Sequence, residues 1–457
     1  MLTIDNKQAD LFETWIPEQL LQLPEELAFA DKALGDSRVL EPFLKDCKTI
    51  GRPTTAISTY LRMMYLKFRY QMSYEVAVKE ISDSYKWRRF CRLPMTGAVP
   101  DDKTLIKLTG RFGEAPVRAI HDAVVRQAVE AKIIRGRKMR LDTTVNESNI
   151  HYPTDTGLMS DGVRVITRTV RKIKEVVRLK IRFRNRTRSI KWRVLKIIKF
   201  LKGKKAEARK KREQVKTEIL TIAQAAWNQA MEVLAELRRG KAEIKPGASS
   251  VRLATLPLEL KQWLELMKRI LEQTRTVLGG DTHIPNRLVS LFDPGARPIQ
   301  KGKLFPKTEF GRKVLIQEAE KGIVTDFQTH QGNPRDDSLL DSAVDKHEEI
   351  FGCVPKEVAA DRGFHSSDGD DRLHERGIKH VSIPVKGNKT DMRRRTERSS
   401  WFRRLQRWRA GGEAKISLLK RKFGLRKSLV RGDSATAIWL GWGIIAHNLT
   451  WMSRAGP

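Results

Sequence analysis

The sequence predicts a mixed α/β fold that carries a long helical insertion, and three observations support this. Residues 51–130 place apolar side chains at helical spacing, and short extended runs begin after Gly136. Helical periodicity then returns over residues 170–278, and beyond them extended runs alternate with helical ones. Extended runs interspersed with helices indicate a sheet with helices packed on it.

The N-terminal part is predicted to be a helical module. Met64 and Phe68 belong to one apolar helical face, Ser73 opens a further helix, and the run Pro100-Asp101-Asp102-Lys103 offers an N-cap for another. We therefore expect residues 1–135 to form a helical domain.

The sheet domain is expected to comprise residues 136–169 and 283–432. Its predicted strands are residues 139–145, 288–292, 314–316, 323–328, 357–360 and 380–385. A helix is predicted over residues 339–350, and a shorter one ends at Gly377.

Two further helical parts complete the predicted organisation. Residues 170–282 are almost wholly helical in character and are expected to form two or three long helices inserted into the sheet domain. Residues 433–457 hold an apolar segment that is barely long enough to span a membrane and contains His447 and Asn448. We predict a buried helix there and no membrane partner.

The charge of the chain indicates a polyanionic partner. The 457 residues include 89 Lys and Arg against 54 Asp and Glu, a formal charge of +35. Residues 171–212 carry a net +18 and residues 389–431 a net +13, so the excess is concentrated in two stretches. Solvated protein surfaces usually mix the two signs, which makes nucleic acid the expected partner.

The three cysteines indicate the redox compartment. Cys47, Cys91 and Cys353 are widely spaced and have no neighbouring Cys or His, so neither a disulfide framework nor a zinc site is predicted. The first residues lack the pattern of a secretory signal. A cytoplasmic location is expected.

Three acidic residues stand at predicted element boundaries. Asp142 lies in a strand, Asp361 follows another strand, and Glu413 lies in an Arg- and Lys-rich helix. Three such carboxylates could hold two divalent metals that activate a water or hydroxyl and stabilise a leaving oxygen at a phosphodiester. Oxygen ligands favour Mg²⁺ or Mn²⁺ over zinc. Arg409 and Lys420 share a helix face with Glu413 and are predicted phosphate contacts.

The motifs around these residues resemble bacterial insertion-sequence transposases of the DDE type. They are Arg-Leu-Asp142-Thr-Thr, Ala-Asp361-Arg-Gly-Phe, and Arg409 and Lys420 spaced around Glu413. The first motif looks most like the ISNCY subgroup, and the resemblance covers about residues 50–450. It implies an RNase H-like catalytic fold with Asp142, Asp361 and Glu413 as the metal-binding triad. The segment from Gly51 to Leu105 resembles the N-terminal domain of the same group, which implies that the helical domain of residues 1–135 binds DNA. The related signature has Tyr where this chain has Gln406.

The expected function is that of a DNA transposase. It would bind double-stranded DNA at the element ends, cut it with Mg²⁺ or Mn²⁺, and join the ends to target DNA, acting as a homodimer or larger assembly near the nucleoid. The cations expected along the DNA are Arg178, Lys180, Arg182, Arg184, Arg186 and Arg188. Two alternatives stay open: a catalytically silent DNA-binding descendant of a transposase, and a basic RNA-binding protein.

Overall fold

The computed structural model describes residues 3–4, 15–46, 55–200, 206–240, 242–300 and 307–455. The chain divides into two compact units. The first comprises Met1–Asn149 together with Ile299–Pro457, and the second is Ile150–Pro298. The second unit is longer at both ends than the predicted insertion of residues 170–282.

The first unit begins with short and medium helices. They are α1 (Glu18–Leu21), α2 (Glu25–Leu34), α3 (Ser37–Leu40), α4 (Ile57–Arg69), α5 (Tyr74–Asp83), α6 (Tyr85–Phe90), α7 (Asp102–Phe112) and α8 (Glu114–Glu130). The caps stand where the sequence predicted them: the Ser73 hydroxyl accepts from Val76 N at 3.1 Å, and Asp101 accepts from Thr104 N at 2.6 Å. The predicted helical character is therefore confirmed for the described residues of the span 51–130, of which 51–54 lie outside the description.

The main sheet belongs to the first unit. Its strands include β1 (Lys138–Glu147), and the second unit contributes the short pair β2 (Val177–Arg178) and β3 (Glu243–Ile244). After β4 (Arg297–Ile299) come β5 (Glu309–Glu318), β6 (Val324–His330), β7 (Glu357–Ala359) and β8 (His380–Ser382). The order β6-β5-β1-β7-β8, with β5 antiparallel to β1 and β7 and β8 parallel to it, is the RNase H-like arrangement.

The second unit is mainly helical, and helices of the first unit cover both faces of its sheet. The second unit contains α9 (Asp155–Val176), α10 (Thr187–Phe200), α11 (Ala206–Arg238) and α12 (Ser250–Leu278). In the first unit follow α13 (Leu340–Phe351), α14 (Gly369–Glu375), α15 (Asp391–Arg398), α16 (Ser400–Lys422) and α17 (Asp433–Ala455). Val314 and Ile316 of the sheet pack with the N-terminal helices and α17, whereas Met139 and Leu315 pack on the other face with α13 and α14.

The apolar C-terminal segment is a core helix. In α17, Trp442, Ile444 and Leu449 are fully buried against the helices of the N-terminal module. His447 and Asn448 are buried with them, and Asn448 exchanges hydrogen bonds with the main chain of Val324. Within the described residues, no helix combines the length and apolar composition that crossing a bilayer requires.

Two predictions of secondary structure are wrong. Residues 288–292 form no strand, because the Gln273 amide exchanges two hydrogen bonds with the main chain of Leu288 and the Ser290 hydroxyl accepts the next free amides. Residues 177–186 are not helical. There the carboxylate of Glu236 accepts the amides of Lys180 and Ile181 at 2.7 and 3.1 Å, which holds the chain extended.

Candidate active site

Asp142 and Asp361 lie at the same level on neighbouring strands of the sheet. The parallel pairing of β1 with β7 ends with Arg140 opposite Ala359. Asp142 lies two residues after Arg140, and Asp361 lies two residues after Ala359. Because parallel strands advance by the same rise per residue, Asp361, just past the end of β7, comes level with Asp142 in the middle of β1.

Arg140 connects β1 to the helix that carries Glu413. Its Nη1 donates to the main-chain oxygen of Trp408 at 2.7 Å, and its Nη2 donates to Glu318 Oε2 at 2.6 Å. A β carbon on Gly411 would lie 3.2 Å from Nη1, and one on Gly412 would lie 3.4 Å from Nε. These two glycines stand in the middle of α16, so they serve the close approach of Arg140 and do not mark the start of the helix.

Helix α16 is anchored on the sheet by Gln406. Gln406 Nε2 donates to the main-chain oxygens of Ser382 and Ala360 at 2.6 and 3.3 Å, at the carboxyl ends of β8 and β7. Glu413 follows Gln406 by seven residues, which is about two helical turns and returns to the same side. Glu413 therefore projects from the side of α16 on which Gln406 contacts the sheet.

The side chains of the three acids have other partners in this structure. Asp361 Oδ1 accepts from Gly363 N at 2.7 Å, and Glu413 Oε1 accepts from Arg409 Nη2 at 3.0 Å. The Glu413 side chain is 64% exposed. No group of three His, Cys, Asp or Glu side chains in the described parts of the chain is close enough to hold a metal ion. The structure thus brings β1, β7 and α16 side by side without gathering the carboxylates of Asp142, Asp361 and Glu413.

A pocket beside Asp361 carries charges of both signs. Asp361 lines this pocket of about 300 Å³ together with Thr143, two further acids and three cations, namely Asp336, Asp337, Lys313, Arg335 and Lys386. Sequence reasoning had not singled out Asp336 or Asp337, which follow β6 as a pair of acids.

A buried charged network lies beneath α16. Burial raises the pKa of Glu318, although Arg140 pairs with it. Burial lowers the pKa of Lys415 to about 8, and its Nζ lies 3.1 Å from His447 Nε2 and 3.5 Å from the centre of the Trp451 ring. Burial and the neighbouring Lys415 lower the pKa of His447 to about 3, so His447 is neutral. Sequence reasoning missed this network, for which the only signal was the charge of Arg140 within a buried strand.

The predicted DNA-contacting cations lie in three places. Arg409 is mostly buried and pairs with Glu413, while Lys420 lines a separate pocket of about 430 Å³. The others belong to the second unit, where Arg178, Lys180, Arg182 and Arg184 are exposed on the extended segment and Arg188 is exposed at the start of α10. Arg186 is less exposed and donates to Gln229 and to the main-chain oxygen of Arg184.

Comparisons with known proteins agree with this architecture. A family described as Transposase domain (DUF772) matches residues 16–111, and one described as Transposase DDE domain matches residues 288–449. The second match includes Asp361 and Glu413, whereas Asp142 lies outside both. The two matches together cover more than half of the chain.

One curated relative is weakly similar. It is "Uncharacterized protein ORF8 in nfe locus" of Rhizobium meliloti, 25% identical over 130 residues. The match covers 27% of this chain and spans 63% of the length of that relative. No solved structure matches the chain.

Proposed function

Because the chain belongs to the DDE transposases of insertion sequences, we propose that it binds the ends of an insertion sequence, cuts the phosphodiester there and joins the freed end to target DNA. Members of this family act on DNA and in general use a divalent metal. Binding of the element ends, binding of target DNA and strand transfer each depend on this chain's own residues.

The observation that carries the proposal is that the two strands and the helix that bear Asp142, Asp361 and Glu413 are neighbours in one sheet domain. Extending the β1 and β7 pairing brings the aspartates level, and Gln406 fixes the side of α16 from which Glu413 projects. All three offer carboxylate oxygens, the donor type that Mg²⁺ and Mn²⁺ prefer. The set therefore fits a divalent metal in its donors, and binding the metal would require the three carboxylates to turn toward one another.

These residues have distinct roles in the proposed reaction. Asp142, Asp361 and Glu413 would hold Mg²⁺ or Mn²⁺, which when bound supplies activation of the attacking oxygen and stabilisation of the leaving oxygen. Arg140 fixes the spacing between β1 and α16 through its bond to Trp408 O. Arg409 pairs with Glu413, and once released from that pair its guanidinium would contact a phosphate.

The charge supports DNA as the substrate. The excess of +35 is far more than a soluble protein of this size requires, and sixteen Lys and Arg lie within residues 389–431 around Glu413. Such a field attracts the phosphate backbone without regard to sequence. We propose a homodimer or larger assembly on DNA, acting in the cytoplasm near the nucleoid, since the two element ends have to be handled together.

The experiment that tests the function is strand cleavage on plasmid DNA that carries the sequences flanking the gene. Asp142→Asn, Asp361→Asn and Glu413→Gln should each lower cleavage by more than about 100-fold, since even residues behind the ligands cost about 10–100-fold. DNA binding should be retained, because neutral isosteres remove no phosphate attraction. Asp391→Asn is the matched control, an exposed acid of the same basic stretch.

The same assay separates the alternatives. Cleavage that needs Mg²⁺ or Mn²⁺ and fails with a chelator supports the transposase. A silent descendant would bind the DNA without cutting it under any metal, and an RNA-binding protein would prefer RNA and need no metal. Retained cleavage in any of the three variants contradicts the assignment of the residues.

A further inference from the structure

A buried lysine in α4 has only aromatic neighbours for its charge. Lys67 is 2% exposed, and its Nζ lies 4.1 Å from the ring centre of Phe68, 4.6 Å from that of Tyr74 and 4.4 Å from that of Trp439. Burial lowers the pKa of Lys67 to about 8. Aromatic faces replace only part of the hydration that a buried ammonium loses.

This lysine lines a pocket of about 430 Å³ that is rich in positive charge. The other cations around the pocket are Lys420, Arg421, Arg426 and Lys427, and among the described residues that line it none is acidic. Two hydrogen bonds fix its walls: Gln71 Nε2 donates to Arg421 O at 2.7 Å, and Trp439 Nε1 donates to Gly424 O at 2.8 Å. The pocket is thus a defined feature at the ends of α4 and α16.

The pocket lies on the side of α16 that carries Glu413. Lys420 follows Glu413 by seven residues, two turns on the same side and about 10 Å along the helix axis. We propose that this pocket, with Lys67 in its lining, binds a backbone phosphate of the DNA strand that reaches Asp142, Asp361 and Glu413. The proposal rests on the proposed function and adds a phosphate site to which the N-terminal helical module contributes.

The chemistry of the pocket favours a phosphodiester. The five cations around the cavity carry more positive charge than a ligand with one carboxylate would neutralise. Ammonium and guanidinium groups are the usual partners of phosphate oxygens. Phe68 and Trp439 give the cavity apolar walls against which a sugar can lie. A strand bound here continues along exposed Arg426, which stands at the rim.

The test compares Lys67→Met with Lys79→Met, an exposed lysine of α5 outside the pocket. The affinity of each protein for a duplex of about 30 base pairs, roughly three turns of DNA, is measured as a function of salt concentration. The melting temperature of each protein is recorded as well. We expect Lys67→Met to melt higher, because it removes a buried charge. It should nevertheless bind DNA more weakly, with a salt slope reduced by about one. Lys79→Met should change neither quantity.

A lysine with a purely structural role gives a different result. Lys67→Met would then bind the duplex with the affinity and salt slope of the parent, and that result overturns the proposal. An equal loss in Lys67→Met and Lys79→Met also overturns it, because the effect would then reflect net charge alone.

Two further measurements decide the matter if Lys67→Met does not fold. Inorganic phosphate should raise the melting temperature of the parent but not that of Arg426→Gln, and Arg426→Gln should lower the salt slope for DNA. No shift with phosphate, or a shift without any effect of Arg426→Gln on DNA binding, contradicts a DNA phosphate site. Metal-dependent cleavage is measured in parallel. If the parent never cleaves DNA but Lys67→Met still lowers the salt slope of DNA binding, the proposed function is wrong and the phosphate site is supported.

Discussion

Arg140 Nη1 donates a hydrogen bond of 2.7 Å to the main-chain oxygen of Trp408, which joins the strand of Asp142 to the helix of Glu413. The same guanidinium is held from behind by Glu318 at 2.6 Å and lies 5.1 Å from the centre of the Trp408 ring. The separation between β1 and α16 is thus set by a buried arginine.

Gly411→Ala should impair cleavage without the gain in stability that alanine normally brings to a helix. Its new methyl group would stand 3.2 Å from Arg140 Nη1, so the guanidinium has to shift. Gly110→Ala in α7 is the control, because nothing lies within 4 Å of its added carbon. We expect a gain of about 0.5–1 kcal/mol in unfolding free energy at Gly110 and none at Gly411. Equal gains with unchanged cleavage would show that Arg140 does not set the spacing.

Arg409→Gln should lower the metal requirement of cleavage while weakening DNA binding. The Arg409 guanidinium competes with metal for Glu413, whose side chain is 64% exposed, so the pair contributes less than about 1 kcal/mol to folding. We expect the Mg²⁺ concentration for half-maximal cleavage, measured at saturating DNA, to fall by roughly 2–5-fold, which corresponds to that energy. A rise in the metal requirement would show that Arg409 positions Glu413 and does not compete for it.

The buried Lys415 predicts a stability that rises with pH. Its pKa falls from 10.5 to about 8 on folding, so the folded protein favours the neutral amine. Its contribution is complete above pH 10.5 and is lost as the pH falls through 8, a change of at most about 3 kcal/mol. Urea unfolding at pH 7.5 and 9.5 should show that the unfolding free energy of the parent rises relative to that of Lys415→Met as the pH increases. A constant difference would mean that Lys415 keeps its ordinary pKa.

The extended segment of the second unit should contribute to DNA binding. Arg178, Lys180, Arg182 and Arg184 are exposed at alternate positions, so replacing them by serine removes four surface charges. We expect the salt slope of duplex binding to fall by up to about 3–4, with cleavage at saturating DNA retained. Lys261 and Lys268, exposed on α12 and paired with Glu265 and Glu272, serve as the control pair. An unchanged slope would remove this segment from the DNA interface.

The strands and helices around the carboxylates were predictable because their patterns are strong. Residues 139–145 are predicted as a strand and lie within β1, and residues 339–350 are predicted as a helix and nearly coincide with α13. Caps such as Ser73 and Asp101 follow from a single side chain and its neighbouring amides.

Other features depend on contacts that are distant in sequence. Residues 177–184 alternate apolar and basic side chains, a two-residue period that the surrounding helical periodicity concealed. Arg140 and Glu318 are 178 residues apart, and Lys67 meets Trp439 only through the packing of α4 on α17. Residues 288–292 have the composition of a strand, but Gln273 supplies the hydrogen bonds that a neighbouring strand would have made.

The location of the metal tests the central claim most directly. Crystals of the protein with DNA, grown with Mn²⁺, can be measured at the manganese absorption edge so that the ion is identified by its own scattering. We predict a peak at about 2.0–2.2 Å, the usual length of such metal–oxygen bonds, from carboxylate oxygens of both Asp142 and Asp361, with Glu413 released from Arg409 to complete the site. Manganese bound instead by Asp361 together with Asp336, leaving Asp142 without metal, would contradict the account.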